Sequence, residues 1–309
     1  MCDLTLAFHN FYFYLFFMYP STPFVLLSLA VILQRLNYRF SDTVFAWCVG
    51  IISVAGVLTG AVNALGLLGV IILALAAYVS TTPKKPVFVR AVSLAVTIVL
   101  ALAISIHKWP GFTNIPITID EVLTPGAMPF TLYANLDKGL VGLILLGFFC
   151  SRYQSVAELR QSLKDAWLPC VITVALTLGF SVLLGWTRPE ISIKPHVGEF
   201  LFLNLFVTCI AEEAFFRGLL QQRLSDGLKR FRFGPQISLV AISILFGLAH
   251  FSSKIPPPWG LYTVLIATVA GLGYGYVYQK TKRIELSIGL HFALNAIHFL
   301  AFTYPAIQH

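Results

Sequence analysis

The stretch CIAEEAFFRGLL, residues 209–220, places two carboxylates and a guanidinium inside one of the most apolar parts of the chain. The charged side chains are those of Glu212, Glu213 and Arg217, and apolar residues continue on both sides of them. Ionisable groups are costly inside a bilayer, and those found there tend to face the interior of a helix bundle and to have a function. The stretch therefore predicts a membrane helix that contributes charged groups to an internal site.

The composition of the whole chain is typical of a membrane protein. Of the 309 residues, 58% are hydrophobic and 11% are charged, whereas about 25% of the residues of a soluble domain are charged. The net charge of +8 fits basic loops between membrane spans, so we expect the lipid bilayer, and no nucleic acid, as a partner. Residues 1–11, MCDLTLAFHNF, lack the basic segment of a signal peptide, and we expect no cleavage there.

Apolar segments of spanning length follow one another along the chain, each near the ~20 residues that a transmembrane helix needs. The candidate spans are 12–34, 43–60, 64–80, 88–107, 139–150, 166–186, 199–224, 236–252, 260–279 and 285–304, with 108–138 as a loop. These segments predict an all-α, multi-pass transmembrane helix bundle with about nine or ten spans. Alternate loops are rich in Lys and Arg, which places them in the cytoplasm and favours the cell (cytoplasmic) membrane as the location.

Polar groups from three of the last four spans fall at similar depths. At 1.5 Å per residue, Glu212 lies about 18 Å from the cytoplasmic end of its helix, and His250 lies about 21 Å from the start of its own. His291 and Asn295 lie about 10–15 Å from the start of the last helix by the same rule. All four are central in a hydrocarbon core about 30 Å thick, so the sequence predicts one buried polar site. His298, further along the last span, is interpreted as a packing residue.

Such a site is suited to hydrolysis by activated water. A carboxylate beside a histidine in a water-poor cavity can deprotonate water, and a second histidine with an amide can hold a developing oxyanion. The signatures of other proteases are missing, since the sequence has neither H-E-x-x-H nor G-x-S-x-G. The pattern therefore favours cleavage of a peptide bond without a protein nucleophile.

Three short motifs resemble those of a known family. EEAFFR (212–217) matches E-E-x-x-x-R, FGLAH (246–250) matches F-x-x-x-H, and HFALN (291–295) matches H-x-x-x-N. Their order on neighbouring spans is similar to that of the CPBP family, the CAAX prenyl endopeptidases and ABI-type glutamic intramembrane proteases. The resemblance covers about 199–304. It implies a catalytic helical core over 166–309, with an N-terminal transmembrane region of unknown role over 1–165.

The resemblance also implies a role for each motif residue. Glu212 would be the general base, and His250 would orient or activate the water. His291 and Asn295 would donate hydrogen bonds to the oxyanion. The supporting residues would be Glu213, Arg217 and Phe246, the first two as an ion pair one helical turn apart and the third as a wall beside His250. The implied protein is an intramembrane endopeptidase, a hydrolase that requires no cofactor and acts on a membrane-associated peptide or protein.

Two alternatives use the same residues. Glu212, His250 and His291 could hold zinc as two imidazoles and one carboxylate, which would make the protein an intramembrane metalloprotease. The polar layer could instead serve a non-enzymatic immunity or transport protein, with Glu212 as the proton or substrate group. Zinc content and the presence of a cleaved product distinguish these hypotheses.

Overall fold

A computed structural model describes residues 19–36, 41–153, 155–253 and 255–308, and the fold is that of these residues. Residues 12–18 of the first predicted span and the segment 1–11, for which no cleavage is expected, lie outside the described residues. The described part contains ten helices, counting one composite helix once, and one two-stranded sheet.

Nine helices are uninterrupted: α1 (Thr22–Leu36), α2 (Asp42–Leu58), α3 (Ala64–Thr81), α4 (Val87–Ser105), α5 (Leu136–Phe149), α6 (Val156–Leu183), α8 (Gly234–Leu248), α9 (Trp259–Thr281) and α10 (Ile284–Ala301). The composite helix α7 joins Val197–Leu203, a π-helical turn Asn204–Cys209, Ile210–Glu213, a second π-helical segment Ala214–Gln221, and Gln222–Gly227. Each helix overlaps one of the predicted spans.

The helices confirm the predicted all-α, multi-pass membrane architecture. Within the described ranges, α3, α4, α6, α9 and α10 are long and apolar enough to cross a membrane, and α1, α2 and α8 are apolar but shorter. Many apolar side chains point outwards, as Val171 and Leu176 do on α6, which is the arrangement expected of helices in contact with lipid. The chain is thus an integral membrane protein, while the number of spans and their sidedness stay predictions.

The strands β1 (Ile115–Glu121) and β2 (Phe130–Ala134) correct the expectation of a plain loop over 108–138. β1, IPITIDE, is rich in β-branched residues, which favour extended backbone. Phe130 of β2 makes edge-to-face contacts with Phe200 of α7, Phe299 of α10 and Tyr304 beyond it. The hairpin is too small to change the all-α class.

The chain forms two compact units. The first contains the described residues up to Ile115 together with Ala134–Phe148, and the second contains Pro116–Tyr133 and the described residues from Phe149 onwards. In the first unit, the ring of Phe45 on α2 meets the edge of Phe148 on α5 at 5.4 Å between centroids. All the predicted site residues belong to the second unit. The predicted division of the chain at residue 165 stays a prediction.

Two features fix α6 against α9 in the second unit. Pro169 lies inside α6, and because proline has no N–H, the carbonyl of Asp165 loses its partner in the helix. The Nζ of Lys280 on α9 donates to that carbonyl at 2.8 Å. Further along, Gly273 of α9 lies so close to Thr173 of α6 that an added Cβ would overlap the threonine side chain.

We expect the substitution Gly273→Ala to destabilise the protein by about 1–3 kcal/mol, because the new methyl group forces α6 and α9 apart. The free energy of unfolding of the full chain in detergent measures this change. Gly179→Ala in α6 is the matched control, because a Cβ there meets open space. Adding Thr173→Ala to Gly273→Ala should restore part of the loss. Equal stabilities of the Gly273→Ala and Gly179→Ala variants would contradict this close packing of α6 on α9.

Candidate functional site

The two adjacent glutamates lie between the two π-helical segments of α7. Glu212 and Glu213 end the short α-helical piece Ile210–Glu213, with π-helical turns directly before and after it. Insertions of this type are rare and occur often at functional sites, since they change the direction in which the following side chains point. Glu213 is completely buried, whereas the side chain of Glu212 retains 17% exposure. The neighbouring carboxylates therefore have different environments.

The carboxylate of Glu213 is held by groups from two helices. Its Oε2 accepts a hydrogen bond from Ser287 Oγ at 2.6 Å, and its Oε1 accepts one from His291 Nδ1 at 2.9 Å. The Nε of Arg217, one turn later on α7, lies 3.2 Å from Oε2. A buried carboxylate is tolerated only when charge and hydrogen bonds compensate for lost hydration. Glu213 therefore locks α7 to α10.

Arg217 is also completely buried, and its charge is balanced from several sides. One terminal nitrogen of the guanidinium donates to the carbonyl of Gly271 on α9 at 3.0 Å. The guanidinium carbon lies 4.6 Å from the centroid of the Phe246 ring, a cation–π contact with α8. The Glu213–Arg217 pair thus connects α7 with α8, α9 and α10.

The ring of His291 is fixed in position and in tautomer. It stacks on Tyr274 of α9, with 4.6 Å between ring centroids and 18° between planes. A carboxylate only accepts hydrogen bonds, so the contact with Glu213 assigns a proton to Nδ1 of His291. Its Nε2 then faces the other glutamate, 4.0 Å from Glu212 Oε2. Glu213 therefore orients the ring of His291 so that its Nε2 points towards Glu212.

His250 lies in the turn after α8, next to Phe246. Its Nδ1 is 2.8 Å from the carbonyl oxygen of Phe246, which assigns a proton to that nitrogen and leaves Nε2 for other partners. The Phe246 ring is 4.6 Å from the His250 ring and 5.8 Å from the His291 ring, by centroids. Phe246 therefore contacts both imidazoles, and its supporting role as a wall beside His250 stays a prediction.

Asn295 is oriented by an asparagine that the sequence motifs do not include. Its Nδ2 donates to the Oδ1 of Asn204 at 3.2 Å, and Cys209 Sγ donates to the same oxygen at 3.1 Å. Asn204 and Cys209 are the two ends of the first π-helical turn of α7. A longer contact of 4.0 Å joins the same Nδ2 to Cys209 Sγ, so both ends of the first π-helical turn hold the amide of Asn295.

The structure brings Glu212, Glu213, Arg217 and His291 into one cluster, with Phe246 against it. It also reveals three contributors that the motifs do not predict: Ser287, Tyr274 and Asn204. A sequence signal existed for Ser287, because it lies at the four-residue spacing before His291 and Asn295 on one edge of α10. His298, interpreted as a packing residue, contacts Phe302 and Tyr304 outside this cluster.

The cluster could bind a metal ion only if several donor side chains pointed to one position. Among the described residues, no three His, Cys, Asp or Glu side chains are grouped closely enough to hold a metal. Two potential donors, Glu213 Oε1 and His291 Nδ1, are already bonded to each other. The alternative zinc site, in which Glu212, His250 and His291 would converge on one ion, would use Nε2 of His291 and stays a hypothesis.

We expect Arg217→Met to destabilise the protein by about 3–5 kcal/mol, because it leaves the carboxylate of Glu213 buried without its cation. The double variant Glu213→Gln with Arg217→Met should recover part of this loss, since it removes both charges. Unfolding free energies in detergent provide the measurement, with Arg160→Met at an exposed position of α6 as the control. Independent, additive effects of the two substitutions would contradict the pairing.

Comparison with known protein families finds a match in the region that contains this cluster. Residues 195–297 match the family model described as Type II CAAX prenyl endopeptidase Rce1-like. Comparison with the curated proteins and with the solved structures gave no significant match. The matched region includes α7 to α10 up to Ile297, and with it all three motifs. This membrane protein is thus similar, over residues 195–297, to the Rce1-like type II CAAX prenyl endopeptidases, and the similar part is the helix group that holds the Glu213 cluster.

Proposed function

We propose that this protein is a glutamic-type intramembrane endopeptidase, which hydrolyses a peptide bond in a membrane-associated protein or peptide precursor. The observation that carries the proposal is the 4.0 Å separation between Glu212 Oε2 and His291 Nε2, with the ring of His291 fixed by a fully buried carboxylate. The family match supports the same reaction class. We propose the cell membrane as the location.

The space between Glu212 and His291 suits one water molecule. Two atoms 4.0 Å apart can both lie at about 2.8 Å from the same water oxygen, a normal hydrogen-bond length. In the proposed mechanism, the ring of His291 is held at Nδ1 by Glu213 and contacts this water through Nε2, while the water donates to Glu212.

Hydrolysis in this arrangement needs only proton transfers, the formation of one carbon–oxygen bond and the breaking of one carbon–nitrogen bond. Glu212 removes a proton from the water as its oxygen bonds to the carbonyl carbon of the substrate. His250, with Nδ1 engaged by the Phe246 carbonyl, orients the same water through Nε2. Protonated Glu212 then delivers the proton to the amide nitrogen, and the carbon–nitrogen bond breaks. One water is thereby divided between a new carboxyl group and a new amine.

Donors for the intermediate come from α10. In the proposed mechanism, the Asn295 amide and Nε2 of His291 donate to the negative oxygens that form on the attacked carbon. Preorganised donors of this kind lower the barrier because they need no reorganisation during the reaction. Asn204 acts as a positioning residue in this mechanism, since it fixes the orientation of the Asn295 amide.

We expect Glu212→Gln to abolish cleavage, with a loss of at least about 100-fold, because an amide cannot accept the proton of water. Membrane proteomes of cells that produce the wild type or the variant should differ by precursors that remain uncut in the variant. Glu199→Gln is the control, because Glu199 is an exposed carboxylate on the same helix.

Identical sets of cleaved proteins in the wild-type and Glu212→Gln strains would overturn the proposal. Wild-type cleavage should also continue in the presence of a chelator. A chelator-sensitive activity together with one zinc per chain would favour the metalloprotease alternative. Absence of any cleaved product, with ion-dependent flux through the purified protein, would favour the transport alternative.

A further inference from the structure

A groove lies between α6 and α9, on the outer surface of the second unit. It has a volume of about 730 Å³, within the ~300–1,000 Å³ of small-molecule sites. Its wall is apolar along most of its length, with Ile172 and Leu176 from α6 and Leu272 from α9. One end differs, because it carries the two ammonium groups of Lys164 and Lys280. The groove therefore combines a long apolar wall with a cationic end.

The cationic end lies at the depth of the lipid headgroups. The 19 steps from Lys164 to Leu183, at the end of α6, correspond to about 29 Å, and the 21 steps from Trp259 to Lys280 on α9 correspond to about 32 Å. A hydrocarbon core is about 30 Å thick. The two antiparallel helices thus place their lysines at the same boundary of the bilayer, where phosphate groups lie.

Aromatic residues at this end of the groove support the same depth. Trp167 and Tyr276 line it and are both exposed, at 61% and 48%. Tryptophan and tyrosine are enriched where the hydrocarbon core meets the headgroups, because their rings are apolar with a polar edge. Their position next to the lysines marks this end as the membrane interface.

Lys280 is held at the groove by the fold itself. Pro169 lines the groove and frees the carbonyl of Asp165, and the Nζ of Lys280 donates to that carbonyl. This contact is with a neutral carbonyl oxygen and not with a carboxylate. The carboxylate of Asp165, the acidic group at this end, accepts a hydrogen bond from Gln161 at 2.9 Å. Because Arg160 precedes Lys164 by one turn, positive charge exceeds negative charge here.

We propose that the groove binds one anionic glycerophospholipid, with an acyl chain along the apolar wall and the phosphate between Lys164 and Lys280. Charge complementarity favours an anionic headgroup, because the cationic amine of a zwitterionic lipid would lie near the lysines. The site is separate from the Glu213 cluster, and the proposal does not depend on the proposed hydrolysis. The lipid would bridge α6 and α9 at the end of the groove where Pro169 leaves the carbonyl of Asp165 without a helical N–H partner.

Native mass spectrometry of the purified full chain tests this site. The protein in detergent is supplied with phosphatidylglycerol or phosphatidylcholine of identical acyl chains. We expect one phosphatidylglycerol to be retained in preference to phosphatidylcholine, and Lys164→Gln to weaken its binding about five-fold, the effect of one lysine near an anionic surface. Lys229→Gln, an exposed lysine that does not line the groove, is the matched control and should bind as the wild type does.

A second variant probes the apolar wall without changing charge. Ile172→Trp fills the groove and should reduce retention of both lipids, while the unfolding midpoint in detergent verifies that the variant is folded. Equal retention of the two lipids by the wild type, or equal binding by Lys164→Gln and Lys229→Gln, would overturn the proposal. So would displacement of the bound phospholipid by a farnesylated peptide lacking phosphate, because the groove would then be a site for the substrate's lipid.

Discussion

The fully buried carboxylate of Glu213 is the constraint on which the site depends. A charge at that depth is stable only with compensation, and Arg217, Ser287 and His291 provide it from α7 and α10. These contacts align the two helices in one register. They also orient the imidazole of His291, so the requirement to satisfy one buried acid positions the ring that faces the second acid, Glu212.

The proposed division of roles between the two glutamates rests on their environments. Glu213 has no exposed surface and its oxygens are engaged by protein groups, which suits a structural role. Glu212 keeps limited exposure and faces Nε2 of His291, which suits a group that exchanges protons with water. The π-helical turns on each side of the pair allow adjacent residues to point to these different surroundings. Asn204, in the first of these turns, extends the arrangement to Asn295.

Much of this architecture is readable from the sequence, because lipid contact demands long apolar helices and penalises charge. Each apolar run overlaps a helix, and the charges in CIAEEAFFRGLL indicated the site. Periodicity could not reveal the π-helical turns, since they break the 3.6-residue repeat on which such reasoning rests. Asn204, Ser287 and Tyr274 were missed because a single polar or aromatic residue in an apolar run has many explanations. The hairpin β1–β2 was missed because its strands are short, with seven and five residues.

The protonation of His291 tests the central constraint most directly. Nitrogen-15 spectroscopy of protein labelled in histidine reports whether each ring nitrogen carries a proton, and a His291→Asn variant identifies the signals of this residue. Our account predicts a proton on Nδ1 of His291, donated to the carboxylate of Glu213, and a shift of that signal in Glu213→Gln. A neutral His291 ring with its proton on Nε2 and a bare Nδ1 would contradict the account.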